Sequence, residues 1–282
     1  MVILGVSGAT ILADGFRLPD QDAFSTARGE AFAATADNAS AIYYNPAGIS
    51  QLKGWNFRAG IYGIYLPITY ESPDGRTFEN SKTLQAAPQL FCTYGPRELP
   101  LSFGLGIFAP YGLGLHWAQD TGFRTLGVES LLTNISVNPV VAWEVLPTFS
   151  VGAGITVNYG AVNLRSGLVW PTQHKNQFRF KGDDWDIGYN LGVLWRVHEK
   201  VSIGASFRSS NSFDLEGHTE YYNHAAFPPA HRLCLLFQSS VSASRQRFLS
   251  PLMWFAVFRI GLRRNGILNS MPITRTGVPS IR

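Results

Sequence analysis

The 282-residue chain is 45% hydrophobic and 13% aromatic and carries 28 glycines, a balance that favours extended structure over helices and makes all-β the expected fold class. No uninterrupted apolar run of about 18 residues occurs, so no spanning helix can be drawn and any membrane crossing has to be made by strands. The net charge of +4 is uneven: from His231 onward there are eight Arg, no Lys and no acidic residue, and removing those eight from 23 basic residues leaves 15 against 19 acidic ones, a formal −4 for the first 230 positions. The basicity belongs to the tail, so no nucleic-acid partner is expected.

Residues 2 to 13 read as an apolar signal core with cleavage after Ala13; the basic n-region is missing, so either the true start lies upstream and this is a signal remnant, or the segment is a buried N-terminal strand. Residues 14 to 52 are Ala-rich and poor in β-branched residues, which predicts one or two short helices between Asp20 and Ile49 in a plug-sized element. Asp37, Asn38 and Ser40 can cap a turn carrying Ala41, Ile42 and Tyr43. Asn45-Pro46-Ala47-Gly48 is expected to end it, with Gly48 permitting a positive φ.

From Trp55 the period changes to two. Phe149, Val151, Ala153, Ile155, Val157 and Tyr159 share one face against Ser150, Gly152, Gly154, Thr156, Asn158 and Gly160; the same alternation runs through 186 to 197 and 201 to 208. Tight connections at 96–100, 146–148 and 197–200 alternate with long polar segments at 68–82, 110–131, 165–180 and 211–230, the arrangement of short turns on one rim and long loops on the other that outer-membrane barrels show. About seven strands follow, at roughly 55–67, 83–95, 100–109, 132–145, 148–164, 176–197 and 200–216.

Alternation alone does not separate a barrel with a wet interior from a soluble sandwich with a wet exterior. A solvent-facing sandwich would carry Lys, Glu and Thr, whereas Gly and Ser on the polar face suit a crowded lumen that holds a plug. Trp55, Tyr65, Trp143, Tyr159 and Trp195 lie near strand ends, where interfacial girdles would form. The physical reading is an antiparallel transmembrane β-barrel in a bacterial outer membrane.

The segments Gly15 to Gln21, Gly29 to Ala33 and Ala36 to Gly48 together resemble the N-terminal hatch of the FadL and TodX family, and Asn45-Pro46-Ala47-Gly48 is the most recognisable part. Pro110-Tyr111-Gly112-Leu113-Gly114 is also similar, and the likeness runs from about residue 14 to about residue 229. It implies a 14-stranded barrel, about seven strands of which are encoded here, plugged by a small helical hatch. Such a barrel passively takes up hydrophobic compounds, long-chain fatty acids or aromatic hydrocarbons. The ligand would pass from outer loops to a lumen pocket and leave sideways at a kink in the third strand. On the resemblance Gly15 and Phe16 form the hatch N-terminus next to ligand. Phe103, Gly104, Leu105 and Gly106 mark the kink, where glycines permit a bulge, and ordinary lumen-facing glycines are the alternative there. The expected partners are hydrophobic small molecules, outer-membrane lipids and detergent-like amphiphiles, with no cofactor, no enzymatic chemistry and a monomeric state.

The pattern fails after about His231, where Leu252 to Phe258 is an apolar run without the preceding period. Seven strands do not close a barrel, and open edges are not tolerated in lipid. A frameshift accounts for this. Read from each codon's third base, with permitted bases chosen, the stretch from Asn265 gives Trp-Asn-Phe-Glu-Phe-Asn-Ala-Asp-Tyr-Thr-Asp-Trp, similar to a mid-barrel strand. The expected organisation is thus 1–13 signal remnant, 14–52 hatch, 53–230 partial barrel and 231–282 an out-of-frame basic tail; the rival is a real basic or membrane-surface tail.

Asp183, Asp184 and Asp186 invite a cation reading, but alternation around Trp185 points to a hydrated lumen or rim. His218, Glu220 and His224 have loose metal-like spacing with no helix to converge them, and Cys92 and Cys234 have no ligand spacing, so no metal is expected. No catalytic motif stands out. The competing class is a non-transporting surface adhesin or structural barrel, which would share the strands but need no hatch.

Overall fold

A computed structural model describes residues 17–81, 83–168, 176–222, 242–249 and 253–260. Two single-turn helices, α1 (Ala23–Thr26) and α2 (Ala41–Tyr44), and a 3-10 helix (Pro46–Gln51) precede the strands. The strands are β1 (Gly54–Tyr65), β2 (Thr69–Glu71), β3 (Thr77–Glu79), β4 (Leu84–Gly95), β5 (Leu101–Phe108), β6 (Gly112–His116), β7 (Glu129–Leu146), β8 (Phe149–Gly167), β9 (Gln177–His198), β10 (Val201–Arg208), β11 (Ser212–Tyr222), β12 (Ser242–Leu249) and β13 (Met253–Ile260). All but β2 and β3, which form their own ribbon, join one antiparallel sheet ordered β1-β4-β5-β7-β8-β9-β10-β13, with β6 beside β7 and β11 between β9 and β12. The sheet is a curled half-barrel.

Its two faces are inverted relative to a soluble sheet. The convex face exposes Phe57 (70%), Ile61 (75%), Trp185 (63%) and Ile187 (74%), while the concave face buries Ser102, Asn134, Asn138, Thr156, Asn158 and Asn190. Only a surround less polar than the lumen makes that distribution favourable, which decides for a membrane barrel over a soluble sandwich. Aromatics mark both edges of this band. At the short-turn rim Trp55 pairs with Tyr94, Trp143 with Leu101 and Trp195 with Phe149. Toward the long loops Tyr65 is exposed and Tyr159 packs on Trp185 at 5.0 Å.

The core lies inside the curl. Phe32, Ile42, Tyr43, Tyr44 and Ile49 of the N-terminal element pack with Phe91, Phe108, Val140 and Ala142 of the wall. Period two gives no strand after residue 230, yet β12 and β13 pair with β11 and β10. The edge of β10 and β11 offers free N–H and C=O groups, and backbone pairing asks nothing of side-chain alternation.

Candidate functional site

The N-terminal element is held against the wall at Asn45 to Gly48. Asn45 is extended (φ −160°), as a residue before proline must be, and it caps the 3-10 helix by accepting from the Ala47 N–H at 3.1 Å. Its amide donates to the carbonyls of Ala33 (2.6 Å) and Val193 (2.9 Å), so one buried side chain ties the element to itself and to β9. Beneath it the wall is glycine. A Cβ on Gly192 would stand 2.1 Å from Asn45 Oδ1, and one on Gly152 would stand 2.4 Å from the Ala47 nitrogen. Gly204 gives the same clearance to Ala33, and further bonds run from Ser50 to Ser150 (2.8 Å), Asn190 to the Ile42 carbonyl (3.1 Å) and Ser202 to the Ala34 carbonyl (2.6 Å).

One expectation holds and one changes here. Asn45-Pro46-Ala47-Gly48 ends α2, with Asn45 as its extended C-cap, and also opens the 3-10 helix. Gly48 is not among the positive-φ residues; it is needed because a Cβ would sit 2.2 Å from that of Ala36. The turn before α2 is held by Asn38, whose Oδ1 accepts from the Ser40 N–H (2.8 Å) and hydroxyl (2.6 Å), while Ser40 itself makes no side-chain cap.

The third strand is broken, but not at Phe103 to Gly106. Both ladders run through that stretch without a shift, and Gly104 and Gly106 make room for the Ile42 side chain. The break follows at Ala109 to Tyr111, where β5 ends and β6 resumes against β7 alone. β4 pairs with β5 only over Leu90 to Tyr94, so its Leu84 to Gln89 half has no ladder on that side. Pro88 and Pro110 flank the gap, and neither has an N–H to give. The Gln85 amide donates to the Gly114 carbonyl in place of a ladder bond. A cavity of about 290 Å³ lies in the gap, lined among others by Leu18, Ile64, Ala87, Tyr111 and Leu132.

Residues 17–21 lie across this break. The Leu18 N–H donates to the Pro110 carbonyl (2.8 Å), Arg17 and Tyr111 form an antiparallel bridge, and the Gln21 amide donates to the carbonyls of Ala109 (2.9 Å) and Leu18 (2.8 Å). The segment is held from behind by Tyr44, whose hydroxyl accepts from the Gln21 N–H and donates to the Pro19 carbonyl, both at 2.9 Å. Beside it Glu30 is half-buried in the left-handed region at φ +65°. Burial pushes its carboxyl up to about 7. Arg208 reaches in from β10, donates to the Tyr43 carbonyl (2.8 Å) and lies over the Tyr43 ring at 4.2 Å. Asp22, the cap of α1, pairs with Arg58 of β1 and accepts from Asn38 (3.2 Å).

Sequence reasoning found Asn45 to Gly48 but missed Gln21, Tyr44, Asn138 and Asn190; the last two face the lumen inside an ordinary polar–apolar alternation that does not single them out, and Tyr44 lies on α2. Gly15 and Phe16 lie outside the described residues. The aspartate cluster is structural: Asp184 accepts from the Asp214 N–H (2.7 Å) and Asp186 from the Ser212 N–H (3.3 Å), supplying acceptors where β10 hands over to β11. His218 lies 3.5 Å from Glu220, His224 and Cys234 are outside the described residues, and Cys92 is a free thiol. Among the described residues no group of three or more His, Cys, Asp or Glu could hold a metal ion.

Residues 4–247 match the family model described as outer membrane protein transport protein (OMPP1/FadL/TodX). An outer membrane protein of Neisseria meningitidis serogroup B is 26% identical over 256 residues, covering 78% of this chain and 55% of the relative. The long-chain fatty acid transport protein of Escherichia coli O6:H1 is 22% identical over 232 residues, covering 72% and 52%. The chain thus spans about half the length of each. The solved structure of the Ralstonia pickettii toluene transporter TbuX superposes with a TM-score of 0.60 at 19% identity, covering 79% of this chain and 63% of that one, and shares the fold. The chain belongs to the OMPP1/FadL/TodX family of outer-membrane transport proteins, a family of channels and not of enzymes.

Proposed function

We propose that this chain forms the hatch-bearing half of an outer-membrane channel for passive uptake of hydrophobic compounds, long-chain fatty acids or monoaromatic hydrocarbons. The single observation behind this is the break in the third strand, with its cavity on one side and residues 17–21 across it. A solute entering from the loops meets the hatch. If the 17–21 segment withdraws, the unpaired edge of β4 opposite β6 opens sideways into the lipid, and an apolar solute leaves without crossing a polar exit. The cavity suits such a solute because its walls are mainly apolar side chains. The two name-bearing relatives, one of fatty acid and one of toluene transport, support the solute class and do not choose within it.

Uptake of labelled palmitate and of labelled toluene is measured in cells that make the protein and lack other such channels. At least one label is expected to enter above background, and faster in Gln21→Ala, which loses two bonds of the segment over the break. Neither label entering above background in either protein would reject the reading.

A further inference from the structure

Glu30 is a half-buried carboxyl between the N-terminal element and the wall. It occupies a left-handed backbone position that costs a non-glycine residue free energy. Its Oε2 accepts from the Ser25 hydroxyl (3.2 Å), its Oε1 is buried without a hydrogen-bond partner, and it faces the Tyr44 hydroxyl. It lines a cavity of about 110 Å³ between the hatch and the wall. Charged and titratable neighbours come from every side. Arg17 and Asp20 lie on the N-terminal segment, Tyr62 on β1, Tyr43 beside Tyr44 on α2, and Tyr111 and Arg208 across the cavity.

The Tyr44 hydroxyl has one proton. It is given to the Pro19 carbonyl in the segment that covers the third-strand break. A carboxylate at Glu30 is the stronger acceptor and competes for that same proton. We propose that Glu30 is a proton-sensitive latch: as a neutral acid it leaves the Tyr44 proton on Pro19 and keeps residues 17–21 over the break, and as a carboxylate it takes that hydrogen bond and frees the segment. The only covalent event is loss of the Glu30 proton to water; the Tyr44 O–H bond stays intact and changes acceptor. Burial sets the direction. The carboxyl is raised from its ordinary 4.5 to about 7, so the closed seat favours the protonated form, fully below pH 4.5, and that advantage is lost as pH rises through 7. Burial also raises Tyr44, so its phenol remains a donor throughout this window.

The latch rests on the third-strand break being the exit, so its test follows the segment and not the solute. Amide hydrogen exchange of the peptide spanning 17–22 is compared between wild type and Glu30→Gln in membrane-reconstituted protein, at the same pH so that intrinsic rates cancel. The two are expected to match at pH 5, with wild type exchanging about tenfold faster at pH 8, one unit above the titration. Tyr44→Phe is expected to lose protection at both. Equal exchange of wild type and Glu30→Gln at every pH would overturn the latch and leave the uptake test untouched. Should Glu30→Gln not fold, Ser25→Ala decides: losing the Ser25 hydroxyl is expected to move the wild-type transition to higher pH, and an unmoved transition overturns the proposal.

Discussion

The β8–β9 pair and the third strand carry the same residue types and behave oppositely. β8 and β9 pair without a shift from Phe149 opposite Trp195 to Gly167 opposite Gln177, through Gly152, Gly154, Gly160, Gly182, Gly188 and Gly192. The third strand keeps its ladders through Gly104 and Gly106, then loses β4 where Pro88 and Pro110 stand. Gly152 and Gly192 in this wall therefore mark close approach by the N-terminal element, and missing proline donors mark the break. The two regions also receive the hatch differently. Asn45 to Ala47 are wedged onto unbroken strands, whereas residues 17–21 satisfy backbone groups that the broken strand has released.

Overfilling the wedge breaks the comparison most severely. Gly192→Leu drives side-chain atoms into Asn45 and Pro46, and a loss of about 3 kcal/mol or more is expected, read as a lower thermal midpoint or a lost heat-modifiable band. Asn45→Ala removes two buried carbonyl partners and the cap, with an expected cost of about 2–4 kcal/mol in the same assay. Pro88→Val restores a backbone donor beside the gap and is expected to narrow it, lowering solute uptake by a few-fold with the thermal midpoint almost unchanged. Gly63→Ala sharpens the comparison from below: a Cβ there meets nothing within 4 Å, and a change of less than about 0.5 kcal/mol is expected.

Much of this was legible in the residues. The strand at 148–164 was expected from alternation alone and is observed at Phe149–Gly167, because a two-sided wall imposes period two on every residue it contains. Small residues on the polar face pointed to a filled lumen, and Gly152, Gly192 and Gly204 are where the filling touches. The residues of Phe103–Gly106 left two readings open, a kink or ordinary lumen-facing glycines; their unshifted ladders fit the second, while the ladder depends on donors that Pro88 and Pro110 lack. Glu30 was invisible for another reason. Nothing in Gly29-Glu30-Ala31 shows that the chain will turn left-handed and fold the carboxyl in beside Tyr44, a contact fixed only by the tertiary fold. The expectation that the basic tail is out of frame is a separate proposal, checked by resequencing codons 225 to 282.

A disulfide placed across the break tests directly whether the 17–21 segment closes the exit. Arg17 and Tyr111 are bridge partners, a separation that suits a disulfide. In a Cys92→Ser, Cys234→Ser background, oxidised Arg17→Cys/Tyr111→Cys protein is expected to pass no labelled hydrophobic compound and to recover on reduction. Full flux through fully cross-linked protein would contradict the closure of the exit by this segment.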